Sequence, residues 1–376
     1  MGLHIACGIY MVRYPVGGLC WHHLQYLVGL KRLGHHVTFF EDHGWDNSCY
    51  DPVVGDMAND PTYGWKFLTA LLAPHGLQGD GCYLRSDGST LGIPRQELAQ
   101  RIREADVVLN LSNMNWIPEM EHAQRRVLVD TDPTFTQLGF GKDDDFKRDH
   151  ARFTYGENVH RAGCDMPTAG VRWLPTRQPV VLDLWPHAPG PQSGPFTSVL
   201  SWTAYGDREM NGRVYGQKDR EFKPFMRLPS ELGLPMTLAV NGPDAVKKEL
   251  GDGGWEVIEP LEVTRTPQCY QAFISQSRAE FCVAKHGYVS TRSGWFSDRS
   301  TAYMAMGRPI VVQDTGFSDF LPVGQGLLAW RTPAEAKAAL TAVCDNYPAH
   351  CAAARAIVEE HFSADKVLTQ LLQQAV

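Results

Sequence analysis

The chain has 376 residues, 43% of them hydrophobic and 20% charged, with ten tryptophans. That length argues for two domains, each with its own core, and the composition excludes a disordered or fibrous protein. A formal charge of −7 gives no general attraction to a polyanion, so duplex nucleic acid is not expected as a partner.

Nine cysteines without a C-x-x-C pair and a start without a signal-like segment point to a reduced, cytoplasmic protein. No run reaches the roughly 18 apolar residues of a membrane span.

In chain order, Leu3–Tyr10 reads as a buried strand and Tyr14–Gly18 as a loop. A helix follows on the stripe Leu24, Leu27, Val28, Leu30 and Leu33, and Gly34 ends it. Val37–Phe40 is the next strand, running out at Glu41-Asp42, so Gly17-Gly18 face the helix start inside a βαβ unit. Gln96–Glu104 reads as a helix, and Ala105–Leu111 and Arg126–Asp130 as strands buried in a parallel sheet. Residues 1–180 form one Rossmann-like domain. Pro186, Pro189, Gly190, Pro191 and Gly194 make 181–195 an extended connector.

Alternation then resumes. Phe196–Trp202, Met236–Val240, Trp255–Ile258, Phe281–Ala284 and Pro309–Val312 read as strands; Lys218–Leu232, Ser297–Met306 and Pro333–Asp345 read as helices. The expected fold is α/β, with a second Rossmann-like domain over 196–360 facing the first across a cleft. Residues 361–376 form a last helix, expected to pack back on the first domain.

The segment from Ser297 to Val312 contains Met304-Ala305-Met306-Gly307-Arg308-Pro309, a capped helix leading into a Val-Val strand. It resembles the donor-binding segment of the family-four, glycogen-synthase-like enzymes of the GT-B glycosyltransferases. Gly212-Arg213-Val214-Tyr215-Gly216-Gln217-Lys218 is similar to their Gly-Arg…Lys-Gly element.

The resemblance implies a metal-independent transfer of a sugar from a nucleotide-diphosphate sugar, a UDP-sugar by preference, to a hydroxyl or amine. Arg213 and Lys218 then hold the diphosphate, whose negative charge grows as the glycosidic bond breaks. The helix start supplies Ser297, Asp298, Arg299, Ser300 and Thr301 as further donor contacts, through free amides and the positive dipole end. Lys285 and His286, after the Phe281–Ala284 strand, contact the donor's base or sugar, and Gly17 and Gly18 let the first loop approach its phosphates.

On the acceptor side, His22 is the candidate general base or an acceptor contact, Trp21 either stacks on a sugar as an acceptor contact or anchors the helix by packing, and His23 faces solvent or packs the helix. Asp130 and Asp132 end a strand at its carboxyl edge. They spell D-x-D, but the GT-B surroundings favour acceptor or proton contacts over metal binding, and no metal is expected. The two glutamates of the family's E-x7-E pattern fall on Gly294 and Ala302, which marks a divergent chain. The alternative is a catalytically silent nucleotide-sugar-binding module. A Rossmann oxidoreductase is disfavoured, because Gly8, Gly17 and Gly18 do not form G-x-G-x-x-G.

Overall fold

A computed structural model describes residues 2–139 and 145–376. The first half carries an eight-stranded sheet in the order Leu174–Pro175, Ala151–Thr154, Arg126–Asp130, Val107–Leu111, His4–Gly8, His36–Asp42, Gly81–Leu84 and Thr90–Gly92. Its strand pairs are parallel except for the last, where Thr90–Gly92 runs antiparallel to Gly81–Leu84. Val107–Leu111, with four apolar residues in five, is buried along its whole length, as a strand covered on both faces requires.

The helix Gly17–Arg32 buries Gly17 and every residue from Cys20 to Leu30, because it is wedged between its own sheet and two elements of the C-terminal half. One is the helix Pro267–Gln276; the other is the final helix Ala364–Ala375. Gly29 marks the second contact: a Cβ there would stand 2.6 Å from Leu368 Cδ1. Arg125 Nε also donates to the Ala375 carbonyl at 2.6 Å.

The second sheet is wholly parallel: Glu256–Ile258, Met236–Asn241, Phe196–Ser201, Ala279–Cys282, Ile310–Gln313 and Leu327–Trp330. The helix expected over Lys218–Leu232 is broken into Lys218–Phe222, a 3-10 turn Lys223–Phe225 and Leu228–Leu232. Pro224 and Pro229 remove the amides a continuous helix needs. Pro333–Asp345 has the expected bounds, set by a capping box between Thr332 and Glu335.

Residues 181–195 are pinned at several points. Gln25 Oε1 accepts from both Val181 N and Trp185 Nε1, and Arg308 holds the Ala188 carbonyl at 2.8 Å. The fold is the expected pair of α/β halves, and residues just beyond strand carboxyl ends in both sheets meet in one cleft.

Candidate active site

The cleft has a volume of about 680 Å³. From the N-terminal half it is lined by Tyr14, Gly18, His22, Tyr50, Asp132 and Tyr155; from the C-terminal half by Gln217, Lys218, Asn241, Glu259, Lys285, Ser297, Asp298 and Arg299 among others.

Three cations converge here, and their surroundings separate them. Arg299 donates to the fully buried Glu280 at 2.5 Å, to the Val199 carbonyl at 2.8 Å and to Cys282 Sγ at 2.9 Å. Its guanidinium is therefore neutralised and fixed. Lys285 Nζ bonds both Asp132 oxygens at 3.0 Å and Tyr205 Oη at 2.7 Å, and sits within about 5 Å of the Phe135, Tyr205 and Tyr288 ring centres. That ammonium is caged by a carboxylate and three π faces.

Lys218 alone of the three has no acceptor for its ammonium among the described residues, and it faces the cleft. Burial first, then repulsion from Arg299 and to a smaller extent Lys285, pulls its pKa down to about 8, while Cys282 and Glu280 oppose the shift. An ammonium held without a counterion among other cations is a ready site for an anion.

Beside it the helix Asp298–Ala305 begins. Ser297 caps it, its Oγ accepting from Arg299 N at 3.2 Å and its carbonyl from Thr301 N at 3.2 Å. The remaining first-turn amides and the dipole end favour negative charge.

Opposite, His22 Nε2 lies 2.9 Å from Tyr155 Oη, which lies 2.7 Å from Tyr26 Oη. Burial lowers the His22 pKa and the Asp298 carboxylate opposes that shift, so the imidazole is held largely neutral, the form a base requires.

The structure brings Gly18, His22, Asp132, Lys218, Lys285, Ser297, Asp298 and Arg299 to the cleft and places the other expected residues elsewhere. Arg213 lies on the outer hairpin Arg208–Met210/Arg213–Tyr215, bonded to Asp165 and the Ser290 carbonyl. Asp130 is fully buried, its oxygens taken by Asp132 N, Gln137 and Thr154. Trp21 packs on Trp185 and donates Nε1 to the Pro267 carbonyl.

Gly17 is needed by packing, since a Cβ would stand 2.5 Å from the Thr266 carbonyl. His286 Nδ1 accepts from Gly216 N at 3.2 Å. Ser300 is buried in the helix, where Thr301 also turns its hydroxyl back to the Asp298 carbonyl. Of the two expectations for His23, the structure has the packed one, with the ring fully buried.

Tyr14, Tyr50, Tyr155, Gln217, Asn241 and Glu259 line the cleft without a sequence signal for that role. Only Tyr14 and Gln217 fall in segments the motifs singled out. At Gly294 the backbone has φ +77° and a Cβ would approach Asn158 N to 2.8 Å, which disfavours a glutamate there. Among the described residues no group of three His, Cys, Asp or Glu side chains is arranged to hold a metal ion. None of the described helices is long and apolar enough to cross a membrane.

Full-length structural likeness decides the architecture. An alpha-glucosyltransferase solved with UDP-glucose and DNA containing an abasic site superposes with a TM-score of 0.61, covering all of both chains at 8% identity. The chain has the GT-B fold. Sucrose-phosphate synthase from Thermosynechococcus elongatus gives 0.56 at 12% identity over 98% of this chain and 97% of that one. AviGT4, a glycosyltransferase of avilamycin A biosynthesis, gives 0.55 at 14% over 99% and 97%. No protein-family profile matches the sequence, and no curated protein does.

Proposed function

We propose that the chain is a glycosyltransferase that takes a sugar from a nucleotide-diphosphate sugar, UDP-linked by preference, and delivers it to an acceptor hydroxyl in the cleft. The observation that carries this reading is Lys218, an ammonium without a counterion set beside a capped helix start on the floor of a cleft between two Rossmann-like sheets. A diphosphate satisfies both features.

In the transfer, the acceptor oxygen bonds to the anomeric carbon as the bond from that carbon to the β-phosphate oxygen breaks. The electron pair leaves with the diphosphate, where Lys218 and the helix amides stabilise it. The acceptor proton passes to His22, whose ring Tyr155 orients.

Metal independence is supported by the fate of D-x-D, one aspartate being buried and the other paired with Lys285. Free thiols at all nine cysteines support the cytoplasmic expectation.

Thermal shifts with a panel of nucleoside diphosphates test the donor. The correct base at 100 times its dissociation constant should stabilise the fold by about 2.7 kcal/mol. A binder does not require the two glutamates, and their replacement by Gly294 and Ala302 favours the silent module as second reading. Slow release of nucleoside diphosphate from the donor without acceptor separates an enzyme from a binder.

A further inference from the structure

On the N-terminal wall, three tyrosines form a stack. Tyr10 and Tyr14 are 6.3 Å apart at 9°, Tyr14 and Tyr50 5.2 Å apart at 29°, and Tyr14 and Tyr50 line the cleft. The stack is built on a rigid base. The buried carboxylate of Glu41 accepts the amides of Met11, Val12 and Arg13 and the Arg13 Nε. The Arg13 guanidinium lies over the Tyr10 and Trp45 rings, and its carbonyl accepts from Tyr50 N at 2.7 Å. Rings held this way lose little freedom when a ligand stacks on them.

Tyr50 belongs to the hairpin Cys49–Asp51/Asp56–Ala58. Arg265 Nη1 holds its turn through the Pro52 carbonyl at 3.0 Å, beside the wall formed by Glu259 to Thr264. Val53 and Val54 are 73% and 75% exposed, and with Trp45 and Met57 they are four of the seven large exposed apolar side chains among the described residues. An apolar strip therefore continues from the cleft onto the surface. Its segment is acidic: Asp42, Asp46, Asp51, Asp56 and Asp60 lie between Glu41 and Trp65, with no lysine or arginine in that stretch, and of the two arginines packed on it from elsewhere Arg13 is paired with Glu41 and Asp42 and Arg265 is bonded to the Pro52 carbonyl. A polyanion is repelled there.

We infer that this strip is the acceptor subsite, and that the acceptor carries its hydroxyl on a planar, apolar body without negative charge. The inference rests on the transferase reading for the word acceptor, while the binding surface stands on its own geometry.

The test uses the full chain and 4-methylumbelliferone, a neutral planar phenol whose fluorescence reports binding. Its anionic sulfate ester, a short DNA duplex and phosphatidylglycerol vesicles serve as the other arms. Wild type should bind the neutral phenol in preference to all three. Tyr50→Ala should weaken binding about tenfold, as loss of a stacking partner implies, and Tyr50→Phe should restore it.

The exposed double variant Val53→Ser/Val54→Ser should also weaken binding, and its unchanged melting midpoint should show that the fold is intact. It decides the matter if Tyr50→Ala does not fold. Equal binding by wild type and the double variant, or preferred binding of duplex or vesicles, overturns the inference. Phenol binding by a protein that no nucleoside diphosphate stabilises would instead sink the transferase reading and leave the platform standing.

Discussion

Lys218 is charged below about pH 8 and neutral above it, whereas a free lysine stays charged to about pH 10.4. Only the charged form holds a diphosphate, so nucleoside diphosphate affinity should fall as pH rises through about 8. Lys218→Arg, charged throughout, should keep some affinity and lose that descending limb. Calorimetric titrations at several pH values check both. For His22 the sign is opposite: the lowered pKa keeps the base form present to lower pH. The ascending limb of kcat/KM should therefore lie below the usual histidine value of about 6.5. His22→Ala should abolish that limb while diphosphate binding persists. A wild-type transfer rate in that variant would move the base elsewhere.

Among the elements, the helix start at Ser297 was legible because its cap, its apolar positions and the following Val-Val strand all agree. Arg213 was misread for a physical reason. Spacing from Lys218 does not fix direction in irregular chain, and the two-stranded hairpin turns Arg213 outward over the Tyr215 ring. The tyrosine stack was invisible because Tyr10, Tyr14 and Tyr50 meet only through long-range contacts. So was the role of Glu41, which read simply as a strand end. Glu41→Ala strips a buried arginine of its nearest carboxylate and three amides of their acceptor. It should cost about 3–5 kcal/mol in chemical denaturation; a loss under 1 kcal/mol would show that the loop does not depend on it.

At the scale of the molecule, two α/β halves and the return of the last helix to the first were legible from the alternation of elements, and the side chains that join the halves across the cleft were not. That contact rests on Gly17 against Thr266, Trp21 against Pro267, and Asp132 clasped by Lys285, Tyr205 and Tyr288. Because Asp132 is engaged in this way, EDTA should leave transfer unaffected; loss of activity on chelation, restored by magnesium or manganese, would return Asp130 and Asp132 to a metal site.

The central claim is that Lys218 holds a diphosphate in the cleft. Its most direct test is calorimetric titration of UDP, and of the other nucleoside diphosphates, into wild type and Lys218→Ala near neutral pH. Wild type should bind one of them measurably, and Lys218→Ala should bind it about 100-fold more weakly, the loss expected for a charged hydrogen bond of nearly 3 kcal/mol. Absence of binding to wild type, or equal affinity in the two proteins, would contradict it.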